Sequence, residues 1–96
     1  MWDIEYYQSD TGVCSVGEFI DSLDAKGQAR AIHALELLEE FGTGLGMPYV
    51  KHLEKHTWEL RVHQNKSVNR IIYFVNIEKT IILLRAFARI RYSSST

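Results

Sequence analysis

The stretch Thr57-Trp58-Glu59-Leu60-Arg61-Val62-His63 decides the fold. Trp58, Leu60 and Val62 alternate with Glu59, Arg61 and His63, the period-two pattern of a strand with one buried and one solvated face. The polar turn Gln64-Asn65-Lys66-Ser67 follows. Two further runs, Val68 to Ile77 and Thr80 to Phe87, are apolar on both faces and rich in β-branched residues, as central strands are. Glu78-Lys79 is short enough to join them as an antiparallel hairpin. Upstream, Val50 to Leu53 reads as a weaker strand, so the chain from Val50 onward is a sheet.

Before that sheet the periodicity changes. Trp2, Ile4 and Tyr6 alternate with Asp3, Glu5 and Tyr7, a half-buried strand that Ser9-Asp10-Thr11-Gly12 breaks. Ser15 with Glu18 three residues later is a capping-box signature, which predicts a short helix to about Leu23. Asp24 is placed to cap a second helix that buries Ala29, Ile32, Leu35 and Leu38, with Ala34, Leu37 and Phe41 widening the stripe and His33 at its edge. Gly42, which tolerates positive φ, ends it. The order is α+β: an N-terminal strand, two helices, then a three- to four-stranded mainly antiparallel sheet. The helices are expected to cover one sheet face and leave the other, with Arg61, partly solvated. Trp2, Trp58, Phe74 and Phe87 are expected in the core, and Tyr49 beside the glycine-rich loop is left open.

Ninety-six residues, 46% of them hydrophobic, suffice for one core and not two. We expect a single domain over residues 1–92 and a disordered tail over residues 93–96. The single cysteine, Cys14, has no internal partner, which points to a reducing cytoplasm. Asp3 and Glu5 interrupt any leader-like start, and the run Ile81-Ile82-Leu83-Leu84 is too short to span a bilayer, so neither export nor a membrane is expected. The net charge of -1 hides a division within the chain. Residues 1–48 hold two basic and nine acidic side chains; residues 49–96 hold nine basic and three acidic ones. The switch falls at the loop Gly42-Thr43-Gly44-Leu45-Gly46-Met47-Pro48, so the cations are concentrated on the predicted sheet.

Gly46-Met47-Pro48-Tyr49-Val50-Lys51-His52-Leu53, then Trp58-Glu59-Leu60-Arg61-Val62, then Arg70-Ile71-Ile72-Tyr73-Phe74-Val75, resembles the phage-derived branch of HigB-type toxins within the RelE superfamily. Val16-Gly17-Glu18-Phe19-Ile20-Asp21-Ser22-Leu23 and Leu35-Glu36-Leu37-Leu38-Glu39-Glu40-Phe41-Gly42 fit the same pattern, so the resemblance runs from about Tyr6 to Phe87. It implies a ribosome-dependent endoribonuclease that enters the ribosomal A site and cuts messenger RNA. It also implies a partner, a small helix-turn-helix antitoxin. Family toxins continue past the last strand with Gly-Phe and a lysine-rich segment, whereas this chain reads Ala86-Phe87-Ala88-Arg89-Ile90-Arg91-Tyr92-Ser93. Arg89 stands at the first lysine and Ile90 at the second, with Arg91 and Tyr92 as substitutes.

Cleavage of RNA by its own 2′-hydroxyl requires in-line geometry, charge relief on the phosphorane oxygens and proton transfer, and needs neither metal nor cofactor. Arginine suits the charge relief because its planar guanidinium gives paired hydrogen bonds to phosphate oxygens and stays charged. Arg61, Arg70 and Arg89 are therefore the leading catalytic candidates, with His63 as general base and Tyr92 for proton transfer or base stacking. Lys51, Lys55, Lys66 and Arg91 are candidates for RNA binding. The plainer reading of such an arginine is an ion pair with Glu59 or Glu78. His52 and His56 would share a metal only on a helix, and their stretch reads as strand and turn. Two other functions fit the same fold: a non-enzymatic gyrase inhibitor of the ParE kind, and a degenerate relative that only binds antitoxin.

Overall fold

A computed structural model of the chain describes residues 1–46, 48–64, 67–76 and 78–90, with residues 64, 89 and 90 described by their backbone. The elements run β1 (Asp3–Tyr6), α1 (Ser15–Asp21), α2 (Ala25–Phe41), β2 (Val50–Glu54), β3 (Thr57–Gln64), β4 (Ser67–Asn76) and β5 (Thr80–Ile90), with a single 3-10 turn at Gly42–Gly44. The α+β order is the predicted one. The strands form one five-stranded sheet in the order β1-β5-β4-β3-β2. Neighbours pair antiparallel from β2 to β5, while β1 lies parallel to β5 with Asp3 opposite Thr80. The proposed tail at residues 93–96 lies outside the described residues.

Both helices pack on one face, α1 against β5 and α2 against β3. Asp24 caps α2 as expected, its carboxylate accepting from the Gly27 amide at 2.7 Å. Two helix expectations need correction. Cys14, not Ser15, is the extended residue that precedes α1, and no side chain caps it. Ser15 already has helical backbone, and a cap must stand outside the helix to reach back to its amides. The buried face of α2 is Gly27, Ala31, Ala34, Leu35 and Leu38; Ala29, Ile32, His33 and Phe41 are exposed. A strict three-residue spacing drifts around a helix of 3.6 residues per turn, so only its Leu35 and Leu38 end reaches the sheet.

Gly42 ends α2 with φ at 52°, and a Cβ built there would lie 2.0 Å from a carbon of the Trp2 indole. The Trp2 amide donates to the Glu39 carbonyl at 2.9 Å. The start of β1 is thus fastened beneath the end of α2. The core joins Val16 and Ile20 of α1, Leu35 and Leu38 of α2, and Leu60, Val62, Ile71, Tyr73, Ile81 and Leu83 of the sheet, with Trp2 and Trp58 against it.

Phe74 and Phe87 are not in that cluster, which corrects their expected placement. Both strands are apolar on either side, so alternation alone does not say which side is covered. A bulge in β5 decides the matter for Phe87. Tyr73 pairs with Leu83 and Ile72 with Arg85, leaving Leu84 as an extra residue. Ile81 and Leu83 face the helices before the bulge; after it Ala86 does, and Arg85 and Phe87 turn to the opposite face.

Candidate nucleic-acid interface

The sheet face away from the helices carries the cations. Arg61 of β3 stands directly opposite Arg70 of β4. Like charges opposed across a ladder repel. Glu59, two residues before Arg61 and on the same face, resolves this: one carboxylate oxygen, Oε1, accepts from Arg70 Nη1 at 2.7 Å and from Arg61 Nε at 3.2 Å. Glu59 is 6% exposed, so the carboxylate sits beneath the guanidiniums rather than in solvent. The Arg61 contact uses Nε and leaves its two terminal nitrogens out of the bond. Arg70 Nε is buried with no hydrogen-bond partner among the described residues.

Register arranges the neighbours in rows across the strands. One row is Arg61, Arg70 and Phe87, extended on the β2 side by Tyr49, whose carbonyl accepts from the Arg61 amide at 2.8 Å. The next is Lys51, Glu59, Ile72 and Arg85. On the other flank His63 faces Val68, which faces the backbone of Arg89. The Arg85 guanidinium carbon lies 5.8 Å from the Phe87 ring centre. His63 is exposed, and its carbonyl accepts from Arg30 Nη1 of α2 at 3.2 Å.

Of the residues singled out from the sequence, the structure brings Arg61 and Arg70 together, with Lys51 and His63 on the flanking rows. Lys55 is apart from them. It occupies the β2–β3 turn with φ at 43°, more than about 10 Å along the strand from Arg61. The Arg89 side chain, Lys66, Arg91 and Tyr92 lie outside the described residues. His52 stacks on Trp58 at 4.4 Å and His56 meets the edge of Phe74 at 5.8 Å, so the two histidines diverge. The sequence reading named Glu59 only as an ion-pair partner. That a single carboxylate bridges both arginines follows from its same-face i-2 position together with a register that no single strand reveals.

This arrangement is a pair of arginines joined by one carboxylate through strand register, on the sheet face away from α1 and α2. Residues 18–91 match the model of the family described as phage derived protein Gp49-like. The chain belongs to this Gp49-like family. The family is RelE-like and toxin-like. The matched span takes in α1 from Glu18 onward, α2 and β2 to β5, and with them each arginine of the bridge. No curated protein matches the chain in sequence. Among the described residues no helix is long and apolar enough to cross a membrane.

Proposed function

We propose that this Gp49-like protein is a toxin of the HigB type in a type II toxin-antitoxin system, a ribosome-dependent endoribonuclease that cleaves messenger RNA. The observation that carries the reading is the Arg61–Glu59–Arg70 bridge on the sheet face away from the helices. Two guanidiniums share one anion there, and the trio keeps one net positive charge for a second. A phosphodiester has the charge and the oxygen spacing to take that position.

In this scheme the 2′-oxygen attacks the adjacent phosphorus and its proton passes to His63, the imidazole next along the same face. Arg61 and Arg70 hold the phosphorane oxygens, the bond from phosphorus to the 5′-oxygen breaks, and that oxygen takes a proton from Tyr92 or water. The products are a 2′,3′-cyclic phosphate and a 5′-hydroxyl, and the step draws on no metal. The partners are messenger RNA in the ribosomal A site and a helix-turn-helix antitoxin, and the setting is the cytoplasm.

The test adds purified protein to translating ribosomes and maps messenger RNA ends by primer extension. New 5′-hydroxyl ends are expected, and Arg61→Ala should slow their appearance by about 100-fold or more, the usual loss on removing a donor aimed at developing charge. Intact messenger RNA, beside an active control toxin, would overturn the reading. Continued translation with DNA damage on expression would favour the gyrase inhibitor instead.

A further inference from the structure

The row that holds the two arginines is flanked at each end by an aromatic side chain that the core does not use. Tyr49, in the turn that leads into β2, is 46% exposed while the adjacent Val50 is buried in the core, and its carbonyl accepts from the Arg61 amide at 2.8 Å, which sets it at the end of the arginine row. Phe87 reaches that face only because of the bulge at Leu84, and it stands opposite Arg70. The turn before β2 and strands β3, β4 and β5 therefore present aromatic, cation, cation, aromatic in one line. Strands lie about 4.8 Å apart, so the line spans about 14 Å.

We propose that this line is a track for single-stranded nucleic acid, with a phosphate over Arg61 and Arg70 and the two flanking bases stacked on Tyr49 and Phe87. The proposal rests on the reading of this face as an RNA surface and adds to it the path of the strand. Stacking on a ring face tolerates any base, and guanidiniums bind any phosphate, so the track selects a splayed single strand and not a sequence. The Arg85 guanidinium lies over the Phe87 ring at cation–π distance, a contact that a stacking base would share or displace. The contacts proposed for the row are to bases and phosphate, not to the 2′-hydroxyl. Ribose matters for cleavage and not for holding the strand.

The test measures binding of a labelled single-stranded hexaribonucleotide and its all-2′-deoxy analogue, which cannot be cleaved, by fluorescence anisotropy. Both should bind alike. Tyr49→Leu and Phe87→Leu should each weaken binding about tenfold, while Tyr49→Phe and Phe87→Tyr should match the unmodified protein. Leucine variants that fold, by circular dichroism, and bind unchanged would overturn the track. So would polyglutamate that displaces the oligonucleotide at equal charge concentration, since the face would then be a plain anion surface or a seat for an acidic protein. Should Phe87→Leu not fold, hydrogen exchange on the unmodified protein decides. Oligonucleotide is expected to protect residues 49–51 and 86–88, and protection confined elsewhere overturns the proposal. Aromatic-dependent binding of the deoxy analogue without cleavage on ribosomes would sink the nuclease and keep the track; cleavage indifferent to both leucine variants would do the reverse.

Discussion

Glu59 treats its two arginines differently. The bond to Arg70, at 2.7 Å, is in the range of a strong charge-assisted hydrogen bond, whereas the 3.2 Å contact to Arg61 is looser, and Arg61 is the more exposed of the two, 24% against 19%. Arg70 is the more tightly held of the two, and Arg61 keeps the freer guanidinium. Removing the carboxylate leaves two guanidiniums opposed across the ladder with nothing between them. Glu59→Ala should therefore cost about 3 kcal/mol in urea unfolding, the range for breaking a mostly buried ion pair from one side. Glu59→Gln, which keeps an acceptor without the charge, should cost less. If both variants unfold at the midpoint of the unmodified protein, the bridge contributes nothing to the fold.

Among the elements, the end of α2 is the least tolerant of change. Gly42 combines a positive φ with an indole where a side chain would go. Gly42→Ala must move Trp2 and with it the first residues of β1, at a cost of about 2 kcal/mol or more. A thermal midpoint lower by roughly 10 °C is expected; an unchanged midpoint would mean that Trp2 has somewhere else to go. How much of this was legible in sequence varies by element. Asp24 and Gly42 signal their roles locally, and β3 alternates cleanly, so α2's ends and the solvated side of Arg61 read directly. The buried side of α2 did not, because Ile32 and Phe41 are apolar and yet exposed. Nor did the orientation of Phe87, which depends on the extra residue at Leu84 and hence on pairing with β4. Arg61 facing Arg70 is likewise a fact of register. Each strand announced one arginine, and only their alignment made a candidate site.

For the molecule as a whole, the division of charge along the sequence becomes a division between layers, acidic helices behind a basic sheet face. The tyrosines make stability fall in alkali. Burial pushes the Tyr73 hydroxyl well above its ordinary value of 10.0, and burial, followed by the nearby Cys14 thiolate, raises Tyr6. Past about pH 10 the unfolded chain ionises first, so it is favoured progressively, while below that pH neither group contributes any pH dependence. Urea midpoints should be level in this respect from pH 8 to 9.5 and drop above about pH 10. Tyr73→Phe should flatten the drop, and an equal drop in that variant would remove Tyr73 as its source.

The parallel pairing of β1 with β5 carries a consequence for synthesis. β1 is the first strand to leave the ribosome and β5 the last, so β1 emerges without the neighbour that Asp3 to Tyr6 will bond. β3 and β4, joined by a short turn, set Arg61 beside Arg70 through contacts local in sequence, whereas β1 takes its partner from the far end of the strand sequence. The arginine pair therefore rests on a short-range pairing, and the closure of the sheet by β1 on a long-range one.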